Sequence, residues 1–165
     1  MPVRSDLILQ YFGYLITEFN FSVEKKVFDP GTMGNAFVIF ISSQVGIEIV
    51  IDRDQLLMTM GDPMEPREKR IEYSAVLQYF APSEVAYSDP AQLFNEKRAN
   101  HLSNKETWDE VVETRLHRVA FMLRRYCEPI LNGKLGIKKV IEEIKEKNRI
   151  EMLQWLDKFN HTPMS

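Results

Sequence analysis

Between Ala36 and Met60 the chain passes through three strand-length apolar segments joined only by Ser42–Gln44 and by Asp52–Asp54. A parallel crossover needs a dozen or more residues, so these segments must pair antiparallel. Residues 36–41, AFVIFI, form a continuous apolar run, the mark of a central strand covered on both faces. In the next segment Val45, Ile47, Ile49 and Ile51 point to one side, and Gly46, Glu48, Val50 and Asp52 to a half-solvated other side. Gln55–Met60 returns as the third strand. Upstream, Phe21–Phe28 alternates imperfectly and carries Lys25 and Lys26, which suits an edge strand. Asp29–Asn35 is dense in turn formers. The expectation is a meander of about four strands.

Helical periods flank this meander. Leu7, Ile8, Tyr11, Phe12, Leu15 and Phe19 make one apolar stripe, with Ser5 or Asp6 to cap it and Asn20 to stop it. After the proline-rich break at 61–67, residues 72–80 read as a short helix with Val76, Leu77 and Phe80 inward. Asp89 before Pro90 signals a helix start. Ser103 and Glu106 fit a capping box opening a long helix to about Ile130. Its stripe is Trp108, Val112, Leu116, Val119, Leu123, Tyr126 or Cys127, and Ile130, and Gly133 ends it. A last helix spans about Ile137–Phe159. Ile137, Val140, Ile141, Ile144, Met152, Leu153 and Leu156 are expected to face inward, and Asn148 is its weak point. The fold class is therefore α+β: an N-terminal helix packed on the antiparallel meander, then a C-terminal helical hairpin. One domain covers 1–165, with helix and sheet in 1–88 and the helical region in 89–165; a chain of 165 residues suits that size.

Composition excludes several classes. A net charge of −3 supplies no basic field, so neither nucleic acid nor an anionic membrane is an expected partner. No run approaches the ~18 apolar residues of a membrane span. The apolar N-terminus is interrupted by Asp6 and Glu18, as in a folded helix and not a signal peptide. With one cysteine no disulfide framework can form within the chain, which implies a reducing, cytoplasmic setting.

The acidic tip Asp52–Asp54 invites a catalytic or metal-binding reading. At ~3.3 Å per residue, Glu48 and Asp52 stand ~13 Å apart along a strand, too far to share a cation. A nuclease-type Glu-x-Lys pair is missing, because Val50 occupies the lysine's place. A glycosidase pair needs two carboxylates across a cleft, whereas a hairpin tip is convex. Aspartate opening a turn through its own backbone hydrogen bonds accounts for the residues.

Other constellations divide in the same way. Cys127 and His117 lie ~15 Å apart along one helix and on different faces, so they form no dyad. His101 and His161 have no ligand spacing. Gly31, Gly34, Gly46 and Gly61 match no phosphate-binding motif, and no cofactor is expected. Acids early and bases late in the long helix complement its dipole. Lysines and glutamates over 138–147 pair at i, i+4. Two groups stay as candidates for a partner or ligand. One is Arg115, Arg118 and Arg125, which share a helix face with Met122. The other is Met58 and Met60, which share a strand face and are read either as core or as an adaptable exposed strip.

Residues 33–43, MGNAFVIFISS, followed by 49–55, IVIDRDQ, resemble small, uncharacterised bacterial proteins, some of the toxin-immunity type. In these a glycine-asparagine pair enters a strand and an IVRDRGQ-like hairpin follows. Here Asp54 stands where a glycine would ease the turn. The resemblance covers about a quarter of the chain, carries no catalytic motif, and implies binding of another protein. The expected function is thus a non-catalytic protein-interaction module, of which an immunity-type inhibitor is one form. The alternative is a small-ligand binder or enzyme with Arg115, His117 and Arg118 between the sheet and the C-terminal helices. A homodimer through the helical hairpin is the third reading.

Overall fold

The computed structural model describes residues 3–32, 34–53, 55–84 and 108–161. Helix α1 (Arg4–Phe12) leads through Gly13 into α2 (Tyr14–Phe19). Four long strands follow: β1 (Ser22–Asp29), β2 (Asn35–Ile41), β3 (Gly46–Asp52) and β4 (Gln55–Gly61). A short β5 (Ile71–Glu72) passes directly into α3 (Tyr73–Phe80). Helices α4 (Trp108–Tyr126), α5 (Glu128–Leu131) and α6 (Ile137–His161) complete the described chain.

The sheet is antiparallel with strand order β1-β2-β3-β4-β5, so the α+β expectation holds and β5 adds a fifth strand. As expected of an edge, β1 lies outermost, and its register shifts between Val23 and Lys25. Registers place Val38, Ile49 and Met58 side by side, with Phe40, Ile47 and Met60 as the next row. These rows form the inner sheet face, which α1, α4 and the first turns of α6 cover, and all six side chains are buried. Val112, Leu116, Val119, Leu123, Cys127 and Ile130 are also buried, as their spacing requires. They join α1, the sheet, α3 and α6 in one hydrophobic core.

Some local expectations hold and others change. Asn20 ends α2 in the left-handed conformation, φ 58°, as a C-cap asparagine can. At the other end, the helix starts one residue before Ser5 and no side chain caps it; Asp6 instead pairs with Lys26 of β1. The long helix stops at Tyr126 because Pro129 offers no amide to Arg125 and its ring would strike that carbonyl. Cys127 therefore precedes a separate turn, α5. Both helix-start signals, at Asp89 and at Ser103, lie outside the described residues. The largest correction concerns α6. It is continuous through Asn148, but Met152, Leu153 and Leu156 are exposed, since every residue from 145 to 161 extends past the last core contact at Ile144.

Candidate functional site

The tip between β3 and β4 is a tight hairpin. Asp52 pairs with Gln55, and Arg53 takes φ 58°, the sign that the favoured two-residue turns demand. The Arg53 amide donates to Asn35 Oδ1 at 2.7 Å, and the Arg4 guanidinium donates to the Arg53 carbonyl. Arg4 also reaches Asp109 Oδ1 at 3.3 Å, so the tip is bound to both α1 and α4. Asp52 is exposed there, and Glu48 lies elsewhere in a different setting.

Glu48 belongs to the outer face of β3, expected to be half-solvated, yet it is 8% exposed. The covering comes from the segment between β4 and β5. Arg67 Nε donates to Glu48 Oε2 at 2.8 Å while its Nη2 donates to Oε1, a bidentate grip. Arg70 Nη1 stands 3.4 Å from Oε2. Gly46 and Gly61 face each other in register and leave a bare floor along which Arg70 lies. A Cβ on Gly61 would sit 2.7 Å from Arg70 Cγ and 3.2 Å from its Cα. Reading along the chain did not pick out Arg67 and Arg70. The available signal was the pair of glycines on facing strands, followed by the run PREKR at 66–70.

Beside this cluster a row of apolar side chains crosses four strands. Val27 pairs with Phe37, Phe37 with Val50, and Val50 with Leu57. With strands spaced ~4.8 Å the row spans about 14 Å. Val27, Phe37 and Val50 are half-buried, and Leu57 is half-exposed. Lys25 Nζ lies 5.4 Å and the Arg67 guanidinium 6.0 Å from the centre of the Phe37 ring. The outer face thus presents an apolar strip edged by two cations, one of them held in place by Glu48.

The residues singled out from the sequence separate. Met58 is 7% and Met60 0% exposed, which corrects the exposed-strip reading: alternation on β4 turns both into the core and sends Leu57 outward. Arg115 is 3% exposed, Arg118 half-buried and Arg125 exposed, so the three do not make one surface. Arg115 falls within the buried arc of α4, between Val112 and Val119, while Arg118 and Arg125 lie at its margin. Arg125 Nε donates to the Tyr126 hydroxyl at 3.3 Å, and His117 is exposed with its ring 5.7 Å from that of Tyr11. Cys127 is buried, and this pushes its thiol up to about 12. A thiol so high is protonated at neutral pH and is a poor nucleophile. Among the described residues no three His, Cys, Asp or Glu side chains are grouped to hold a metal ion. Nor is any described helix long and apolar enough to cross a membrane.

A second apolar surface lies on α6 beyond Ile144. Ile150, Met152, Leu153, Trp155, Leu156 and Phe159 are 40–67% exposed, and the Trp155 and Phe159 rings stack at 5.5 Å. No protein family, curated protein or solved structure matches this chain.

Proposed function

We propose that the protein is a non-catalytic interaction module that binds another protein through the outer face of its sheet. The observation that carries this reading is the row Val27–Phe37–Val50–Leu57, a partly exposed apolar strip with Lys25 and Arg67 over its Phe37 ring. Scattered apolar side chains are ordinary on a surface, but a contiguous strip with a polar margin suits a partner. Its complement is an apolar patch edged by carboxylates. An antiparallel sheet is a stiff platform, so such a face binds with little ordering cost. Buried Cys127, the single cysteine, suits a reducing compartment and supports a cytoplasmic setting for the module. The resemblance of 33–43 and 49–55 to immunity-type proteins suggests a mode of action, namely covering a partner's active site.

The enzyme or ligand-binder alternative needs space between the sheet and the C-terminal helices. That layer holds the continuous apolar cluster of Ile47, Ile49, Met58, Leu116, Leu123 and Val140. The test is capture from the native cell by the unaltered chain and by a Leu57→Glu variant, followed by hydrogen exchange on the identified complex. The expected result is slowed exchange in β2–β4 and binding weakened at least about tenfold by the variant. Capture indifferent to Leu57→Glu, together with a chemical turnover lost when Glu48 is changed, would overturn the reading.

A further inference from the structure

We infer that residues 62–69 form a detachable strap over the outer sheet face, held by ion pairs, whose opening uncovers Ile39 while the rest of the domain stays folded. The opening is a property of the chain alone; its bearing on docking rests on the function proposed above.

The strap is attached differently from its neighbours. None of residues 62–70 is buried, and none belongs to the hydrophobic core. Its backbone hydrogen bonds close on themselves: the Glu65 amide donates to the Asp62 carbonyl, the Lys69 amide to Pro66 and the Arg70 amide to Arg67. Among the described residues no backbone hydrogen bond ties 62–69 to the sheet or to a helix. Opening therefore spares the β4–β5 ladder, where Met60 pairs with Ile71 and Thr59 with Glu72. What remains are ion pairs. Arg67 grips Glu48, and Glu65 reaches Lys138 of α6 at 3.2 Å and Lys69 at 3.9 Å. The Arg67, Lys69 and Lys138 side chains are 55–61% exposed, so water and salt compete for each. A segment fixed by exposed charges, with no apolar side chain buried, opens more readily than the strands beneath it.

The surroundings of Glu48 make such an opening tolerable. A carboxylate stranded alone in a covered place would oppose it. Two guanidiniums serve this one carboxylate, and they differ: Arg70 is 6% exposed, Arg67 55%. Arg70 is seated at the neck of the strap, across Gly61 and Gly46. When Arg67 leaves with the strap, Arg70 Nη1 remains 3.4 Å from Glu48 Oε2 and keeps the charge paired. Arg70 is the fixed partner and Arg67 the removable one.

Strand registers show what lies beneath. Phe37 pairs with Val50 and Ile39 with Glu48, so these four side chains form a square on the outer face. The Arg67 guanidinium is bonded to Glu48 and lies 6.0 Å from the Phe37 ring centre, along one diagonal of that square. Ile39, at a third corner, is 4% exposed yet stands outside the core cluster, so its cover comes from the outer side. Opening joins Ile39 to the apolar row at Phe37 and enlarges the surface a partner meets.

An Ile39→Cys variant tests this, with buried Cys127 as the control in the same molecule. At about pH 8 a thiol reagent should label position 39 in the folded chain while Cys127 stays protected. Raising NaCl from about 0.05 to about 0.5 M should speed labelling at 39 at least about threefold. Arg67→Met or Lys138→Met should speed it at least about fivefold at low salt, with Cys127 still unlabelled. Position 39 keeping pace with Cys127 throughout, or ignoring salt and both variants, overturns the inference. The unaltered chain supplies a second measurement. Trypsin cleavage after Lys69, scaled to a free peptide substrate, should accelerate with salt; cleavage unmoved by salt also overturns the inference. Capture of the partner should strengthen at least about threefold with Lys138→Met, which shifts the strap toward its open form from a helix on the inner side of the sheet. Capture indifferent to Lys138→Met but weakened by Leu57→Glu overturns the strap's bearing on docking and leaves the sheet-face reading intact.

Discussion

At the scale of single residues, the most informative position is Glu48. Its side chain lies among Arg67 and Arg70, and Arg70 is itself only 6% exposed. A carboxylate removed from such a pair leaves a guanidinium in a dry place with no counter-charge. Glu48→Ala is therefore expected to cost about 3 kcal/mol in urea unfolding. Replacing both partners, Glu48→Leu with Arg70→Met, should return the stability to within about 1 kcal/mol, because the desolvation cost of both charges disappears. An additive double variant would show that Glu48 acts through some other contact. The two glycines beneath Arg70 belong to the same arrangement, since a methyl group on Gly61 would meet the Arg70 backbone.

At the scale of elements, α6 behaves as two helices joined end to end. Ile137, Val140, Ile141 and Ile144 bury their side chains against β4 and α3, whereas the residues of the following turns, 145–161, are exposed. The two halves have similar composition, so truncations should separate them sharply. Ile141→Ala is expected to lose about 3 kcal/mol by the usual cost of a buried cavity. Met152→Ala should change monomer stability by less than about 0.5 kcal/mol. Chemical unfolding at sub-micromolar concentration makes the comparison. Equal losses in the two variants would mean that the outer half is packed within the monomer. Helix α4 shows how an element boundary follows from one residue: its apolar stripe continues through Cys127 to Ile130, but Pro129 splits the helix at Cys127.

At the scale of the whole molecule, the core holds weak acids whose ionisation burial opposes. Burial raises Cys127 from its ordinary 9.0 to about 12. It also raises Tyr14 and Tyr73 well above their ordinary 10.0, with the neighbouring Cys127 thiol a second cause for each. In the unfolded chain these groups ionise near 9 and 10, while in the folded chain they stay protonated. The native state then binds more protons than the unfolded state, so stability must fall as pH rises. The Cys127 contribution is intact below pH 9 and declines by about 1.4 kcal/mol per pH unit above it, with both tyrosines adding to the slope above pH 10. Thermal unfolding between pH 7 and 11 should show this decline. A thiol reagent at pH 8 should label Cys127 only after urea is added. Rapid labelling of the native protein would place Cys127 in contact with water.

What the sequence by itself determined is everything that depends on neighbours along the chain. Short connections at 42–44 and 52–54 dictate antiparallel pairing, a period of two assigns Met58 and Met60 to one face, and Asn20 stops a helix through its own backbone preference. The α+β class and the buried stripe of α4 follow from the same local rules. Tertiary structure alone decided which faces are covered. A glutamate on an outer face reads as solvated until Arg67 and Arg70, some twenty residues on, fold over it. Met152, Leu153 and Leu156 read as core until the last core contact, Ile144, falls about two turns before them. Periodicity states which side of an element is apolar; whether anything lies opposite depends on contacts between residues far apart in sequence, and a local pattern carries no record of those.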